Sequence, residues 1–311
     1  MTKYIRWTAS ILAAMMIFTT ASWANTSIRA NITIDHTSGS TAVKASPQKV
    51  IVFDLATLDN MKHLGIDAVV GVPEGQKPEY LSEFNSARYE TIGTVFEPNY
   101  EKIINLQPDL IIITGRTQPK YKDLSQIAPT IDLTVQNKDT IKDIERNITI
   151  LGQIFGKEKE ATREIKKLHD VLADVRKQTN EKGTGLVLMT SGGKISALGL
   201  NSRFDIFHST FGIAPATDKL TVEKHGQLVS PEFILEVNPD WLLVIDRDSA
   251  IGREGQSAAQ LLDNALIKRT KAGAKNQIIY LNSWNWYRAS GGLTGLYETA
   301  EQIREAFAKS K

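Results

Sequence analysis

The hydrophobic positions fall into short blocks that alternate between two patterns. Apolar-rich runs at 50–53, 66–72, 131–135, 186–189, 195–198 and 278–281 have the length and β-branched content of buried strands. Between them, apolar residues recur at helical spacing over 57–64, 139–155, 258–267 and 296–308. A short helix is also read through Ile127, and another over 205–210 behind a turn that holds Arg203. The run 157–181 contains no Pro or Gly and carries one narrow apolar stripe, Ile165, Leu168, Leu172 and Val175. It predicts a single helix of about 35 Å at ~1.5 Å per residue. The stripe is too short for a coiled coil and ends at the Lys-Gly-Thr-Gly break of 182–185, so the helix is read as a rigid connector. Ahead of all this, residues 25–46 are rich in Ser, Thr and Asn and suggest a hairpin of 28–35 with 41–44 around 37–40.

One block occurs twice. Residues 100–116 read Tyr-Glu-Lys-Ile-Ile-Asn-Leu-Gln-Pro-Asp-Leu-Ile-Ile-Ile-Thr-Gly-Arg, and residues 231–247 read Pro-Glu-Phe-Ile-Leu-Glu-Val-Asn-Pro-Asp-Trp-Leu-Leu-Val-Ile-Asp-Arg. Glu101/Glu232, Ile103/Ile234, Pro108/Pro239, Asp109/Asp240 and Arg116/Arg247 fall in register. Each copy predicts a short helix, a Pro-Asp stop, an apolar strand and an arginine at the strand's carboxyl end. A duplicated unit implies two similar lobes. The expected architecture is α/β: two parallel-rich, three-layer lobes joined by one long helix, with boundaries at 47–156, 157–182 and 183–311.

Length agrees, since 311 residues with 41% hydrophobic content suggest roughly two domains. Lys3 and Arg6, an apolar run over 11–18 and the small residues up to Ala24 read as a secretory signal peptide, 1–24. Its removal takes away two positive and no negative charges, so the formal +2 becomes 0 and no basic field for nucleic acid remains. With no cysteine there is neither a disulfide framework nor a lipid-modified N-terminal Cys. A soluble periplasmic protein is the expectation.

In open α/β sheets, ligands bind outside the carboxyl ends of the strands. Arg116 and Arg247 would each face that position, one per lobe, and Arg203 would join them from a turn. Guanidinium groups stay charged and donate in a planar fork, so they suit a ligand of high negative charge. The alternative is local pairing: Asp246 and Asp248 flank Arg247, and Asp205 follows Arg203. His225 in a polar loop and Tyr287 among tryptophans could complete a shell for Fe(III), which favours oxygen donors, or they are a solvated side chain and cleft packing. Glu101 and Glu232 favour their helix N-termini electrostatically, and could equally dock a partner with two similar subunits. The sequence has no G-x-S-x-G, no P-loop, no dinucleotide fingerprint and no zinc-like histidine spacing. A hydrolase built on Ser290 or His225 lacks a recognisable base and orienting carboxylate.

The Pro47 entry into a strand, the run Leu106-Gln107-Pro108-Asp109-Leu110-Ile111-Ile112 and the long connector resemble the periplasmic binding proteins of iron-siderophore and cobalamin ABC importers, over nearly all of 45–311. Within them, Arg116, Arg203, Arg247, His225 and the Tyr of Trp286-Tyr287-x-Ala-Ser-Gly are similar to the ferric-catecholate branch. That resemblance implies no enzymatic activity and no intrinsic cofactor. It implies a ferric catecholate ligand, enterobactin-like or a linear bis-catecholate, which brings its own Fe(III). Arg116, Arg203, Arg247 and Trp286 would touch the ligand, and His225 and Tyr287 would bind iron directly when the ligand leaves positions open. A monomer would dock through Glu101 and Glu232 to the inner-membrane permease. A hydroxamate siderophore, haem or cobalamin is the rival ligand class. Residues 282–285, Asn-Ser-Trp-Asn, are more aromatic and less acidic than that branch's pattern, which bears on ligand preference.

Overall fold

The computed structural model describes residues 31–136, 140–223 and 225–310; the signal peptide expected at 1–24 lies outside them. The described chain opens with a hairpin of β1 (Asn31–His36) and β2 (Gly39–Lys44), in which His36 pairs with Gly39 across a two-residue turn. Five strands follow: β3 (Val50–Val52), β4 (Val69–Val72), β5 (Glu90–Thr91), β6 (Leu110–Ile113) and β7 (Thr130–Asp132). They form an all-parallel sheet in the order β5-β4-β3-β6-β7. The hairpin bonds to its β7 edge through Thr37 N–H to the Asp132 carbonyl (3.1 Å) and Thr41 Oγ1 to the Thr130 carbonyl (2.9 Å), covering backbone that would otherwise invite pairing. Helices α1 (Leu55–His63), α2 (Tyr100–Leu106) and α3 (Tyr121–Leu124) make the crossovers. Between β4 and β5 the chain holds a 3₁₀ turn at Glu79–Asn85.

Helices α4 (Thr140–Phe155) and α5 (Glu158–Thr179) follow, with Gly156 at φ +65° turning the chain between them. The second sheet contains β8 (Thr184–Ser191), β9 (Lys194–Leu198), β10 (Ala214–Pro215), β11 (Gln227–Val229), β12 (Trp241–Asp246) and β13 (Ile278–Tyr280). Its order is β11-β9-β8-β12-β13, with β10 also on β8; β9 runs antiparallel to both its neighbours, β8 and β11, and the other pairings are parallel. Its helices are α6 (Ile206–Ser209), α7 (Pro231–Val237), α8 (Arg247–Ala250), α9 (Ala258–Leu262), α10 (Ala265–Lys268), α11 (Lys271–Ala274) and α12 (Leu293–Lys309). The single helix expected over 258–267 is broken because the Asn264 side chain accepts the Leu266 and Ile267 N–H groups, starting a new helix there.

The repeat works the same way in both copies. Asn99 and Ser230 cap α2 and α7, and Gln107 and Asn238 end them in the left-handed conformation at φ 49° and 50°. The next carboxylate then ties down the start of the neighbouring strand. Asp109 Oδ2 accepts the Gln48 and Lys49 N–H groups at 2.8 and 3.1 Å, and Asp240 Oδ2 accepts the Thr184 N–H at 2.9 Å. The Pro-Asp pair therefore fixes strand position, which places the arginine at the far end of each strand.

Both faces of each sheet are buried, as continuous apolar strands require. Ile51, Ile111 and Ile113 point to one side of the first sheet and Val50, Val52 and Ile112 to the other. The second set shares one continuous core with Val187, Met189, Leu243 and Ile245 of the second sheet, through residues of α4, α5 and α12. The lobes are also tied by side chains. Asn60 Oδ1 accepts the Leu293 N–H (3.0 Å) and Asp59 Oδ2 the Thr294 N–H (2.7 Å), so α1 of one lobe caps α12, which begins one turn before the expected 296. His63 Nε2 lies 2.9 Å from Thr294 Oγ1, and Tyr297 Oη donates to Glu164 of α5 at 3.3 Å.

Candidate ligand cleft

A cleft of about 520 Å³ opens between the carboxyl ends of the two sheets, within the size range of small-molecule sites. Its centre is Tyr287. After β13 the chain makes a π-helical turn, Trp284–Arg288, closed by Ala289 N–H to the Trp284 carbonyl at 2.9 Å. The wide turn sends three consecutive side chains to three places: Trp286 into the core, Tyr287 into the cleft, and Arg288 across to the first lobe.

Three guanidinium groups surround the Tyr287 ring. Cζ of Arg116, Arg203 and Arg247 lies 5.5, 5.3 and 5.2 Å from its centroid. Arg116 comes from the loop after β6, Arg247 from the first residue of α8 after β12, and Arg203 from the turn before α6. Arg116 donates to the Tyr287 carbonyl, Arg203 to the Trp286 carbonyl at 3.1 Å, and Arg247 Nε to the Tyr287 hydroxyl at 2.6 Å. Arg247 Nη1 also donates to Ser191 Oγ at 2.9 Å. Among the described residues most of the remaining N–H donors meet no protein acceptor, each arginine carrying five.

Local pairing does not account for these charges. Asp246 is occupied as a cap, accepting the Ser249 and Ala258 N–H groups at 3.1 and 2.8 Å. Asp248 accepts the Gly192 N–H and the Ser191 hydroxyl, and pairs with Arg253 at 3.6 Å. Asp205 leaves its buried Oδ1 without a partner and does not reach Arg203. Burial, followed by repulsion from Arg116, pushes the Arg203 guanidinium down to about 10. The free cleft is thus held with excess positive charge, at a cost to the fold. A group lowered in the folded state destabilises that state below its folded pKa, and the penalty fades only as pH rises above about 10. Arg203→Met should therefore stabilise the ligand-free protein at neutral pH by about 1 kcal/mol, discounted for water at a half-buried group, a rise of roughly 2–4 °C in Tm. A lower Tm in a calorimetric scan would show that the bond to the Trp286 carbonyl outweighs the repulsion.

The other expected site residues separate. Trp286 does not line the cleft. It is 3% exposed, packs on Phe207 at 4.5 Å between ring centroids with Phe204 and Phe211 beside it, and donates Nε1–H to Thr299 Oγ1 at 2.8 Å. The reading of Trp286 as a ligand contact is corrected: its ring is core, and only its carbonyl serves the site. His225 is exposed in the turn before β11 and is not part of the cleft wall as described. Glu101 and Glu232 are exposed in the first turns of α2 and α7, at matching positions of the two copies. Among the described residues no cluster of three or more His, Cys, Asp or Glu could hold a metal. Two wall residues were not anticipated. Phe96, 59% exposed, lines the cleft from a first-lobe loop, and Arg288 lines it from the π-helical turn.

Residues 50–283 match the family described as periplasmic binding proteins. The chain belongs to that family. It is 37% identical to the petrobactin-binding protein YclQ of Bacillus subtilis over 97% of this chain and 96% of the relative. The crystal structure of YclQ superposes with a TM-score of 0.86, covering 90% of this chain and 99% of that one. The periplasmic catecholate-siderophore binding protein VctP of Vibrio cholerae superposes at 0.83 with 31% identity, over 88% and 99%. The ferric-anguibactin-binding protein FatB of Vibrio anguillarum is 29% identical over 89% of this chain and 87% of its own. The expected two-lobed α/β fold is that of these neighbours. No helix among the described residues is long and apolar enough to cross a membrane.

Proposed function

We propose that this binding protein captures ferric catecholate siderophores outside the cytoplasm, in the periplasm, and delivers them to an ABC permease. The observation that carries this reading is the cage of Arg116, Arg203 and Arg247 around Tyr287, supplied by both lobes and, among the described residues, in no ion pair; Asp54 on the cleft wall acts on Arg116 only through its field. Three catecholate dianions around Fe(III) leave a triply negative complex, and three guanidiniums offset it. Catechol rings also present flat faces that suit arginine planes and the exposed Phe96 ring. The names of the relatives, which bind petrobactin, anguibactin and a catecholate siderophore, support the same class. The iron arrives with the ligand. When a ligand leaves coordination positions open, the Tyr287 hydroxyl is proposed to fill one, and His225 to bring the second from its exposed turn. Glu101 and Glu232, one per lobe on matching helices, are proposed to meet the permease, with the carrier acting as a monomer.

The test is a tryptophan fluorescence titration with ferric catecholates against ferric hydroxamates of matched size. Trp284, half-buried under the Arg288 guanidinium that lines the cleft, and the buried Trp286 should be quenched by a coloured catecholate at sub-micromolar concentration. The hydroxamate, lacking the negative charge, should bind at least about 100-fold more weakly. Equal binding of the two classes would end the catecholate assignment.

A further inference from the structure

The π-helical turn that aims Tyr287 into the cleft has no side-chain cap at its start and no acid between 282 and 288, so its support comes from outside it. Asn285, two residues before Tyr287, is 3% exposed and does not line the cleft. Its side chain joins two other elements. Oδ1 accepts the Tyr80 hydroxyl at 3.1 Å from the 3₁₀ turn of the first lobe, and Nδ2 donates to Glu298 Oε2 at 2.7 Å on α12. Asn282 Nδ2 reaches the same carboxylate oxygen at 3.5 Å. The direction of the amide follows from its partners. A carboxylate only accepts, so Nδ2 faces Glu298 and Oδ1 is left for the tyrosine.

Both ends of this relay are anchored. A Cβ on Gly295 would lie 2.9 Å from Asn285 Cβ and 3.1 Å from its Cγ, so α12 comes this close to the turn only because residue 295 has no side chain. Tyr80 is half-buried, and its carbonyl accepts Lys62 Nζ at 2.8 Å, which ties the 3₁₀ turn to α1. Burial, followed by the fields of Asp59, Glu298 and Asp54, raises the pKa of the Tyr80 hydroxyl and keeps it a donor. The first lobe therefore grips the turn twice, Tyr80 at Asn285 and Arg116 at the Tyr287 carbonyl, while the Trp286 ring between them is packed among second-lobe phenylalanines.

We infer that Asn285 is a positioning residue: through the relay Tyr80–Asn285–Glu298 it sets where Tyr287 stands among Arg116, Arg203 and Arg247, and so sets ligand affinity without touching the ligand. Groups that meet a ligand hold their geometry through the hydrogen bonds behind them, and the relay supplies such bonds from both lobes. The inference rests on the reading of the arginine cage as the ligand site and adds to it a link from the first lobe to the centre of that cage.

The direction of the amide gives a test that loss of packing does not mimic. Asn285→Asp keeps the shape and still accepts from Tyr80, but it sets a carboxylate against Glu298 where a donor stood. Glu298→Gln returns a donor to that contact from the other side. Affinity for a synthetic ferric tris-catecholate, read by fluorescence titration on variants that circular dichroism shows to be folded, is expected to fall about tenfold in Asn285→Asp. In the Asn285→Asp/Glu298→Gln pair it should return to within about threefold of wild type, so that a double-mutant cycle shows the two changes compensating. Tyr80→Phe, which removes only the first-lobe link, should weaken binding by roughly threefold or more; should Asn285→Asp not fold, this variant alone decides. Unchanged affinity in Asn285→Asp or in Tyr80→Phe, or a loss in Asn285→Asp that Glu298→Gln does not reverse, overturns the positioning role and leaves catecholate capture standing. A wild-type protein that fails to bind the chelate removes capture and this inference together.

Discussion

Replacing Arg116 and Arg247 together with methionine is expected to weaken ferric catecholate binding by about 10²- to 10⁴-fold. A hydrogen bond to a charged group contributes about 1.5–3 kcal/mol. Two such contacts at ~1.4 kcal/mol per tenfold give that range. Methionine keeps much of the side-chain volume, so the loss reads charge and donors more than shape. The singles should be unequal. Arg247 also donates to the Tyr287 hydroxyl at 2.6 Å, so Arg247→Met loosens the ring that all three arginines surround, whereas Arg116→Met removes a bond to a backbone carbonyl. That range assumes simple addition; because both arginines act on one ring, a double-mutant cycle should show a coupling term that shifts the double variant from the sum of the singles. Fluorescence titration gives the affinities and circular dichroism confirms folding. Double-variant binding within threefold of wild type would show that the cage does not hold the ligand.

Trp286→Ala should instead cost stability, by about 3–5 kcal/mol, as for a large aromatic removed from a packed core. The ring touches Phe204, Phe207 and Phe211, and its N–H meets Thr299 on α12, so truncation opens a cavity and strands a buried hydroxyl. Trp286→Phe should recover part of the loss. Urea unfolding followed by circular dichroism reads the change. The folded fraction of Trp286→Ala should still bind ligand, more weakly because the carbonyl that receives Arg203 sits on a loosened turn. A stability loss below about 1 kcal/mol together with abolished binding would return Trp286 to the ligand-contact role.

The contrast between these two variants shows what the sequence made legible. The duplicated block carried the outcome for Arg116 and Arg247, because helix, Pro-Asp stop and strand are local features and the strand end follows from them. Asp109 and Asp240 were visible as a conserved spacing within one chain, although their work, holding the starts of β3 and β8, involves partners 61 and 56 residues away. Trp286 and Arg288 were not legible, because alternating sides in a π-helical turn follow neither the 3.6 nor the 2.0 period. An aromatic cluster beside a strand end looks the same whether it faces a ligand or three phenylalanines. Arg288 stood one place after the motif tyrosine, and its lack of a carboxylate neighbour in 284–292 was the signal that could have singled it out. The early start of α12 was hidden for a related reason: its caps, Asp59 and Asn60, lie more than 200 positions upstream.

The capping of α12 by α1, together with the apolar core that runs unbroken beneath both sheets, has a consequence for traffic at the membrane. A frame braced in this way should change outline little when it is filled. Empty and loaded carriers then offer the transporter nearly the same silhouette, and vacant copies occupy its entrance in proportion to their abundance. Import would saturate, and then fall, if the carrier were produced in large excess over its cargo.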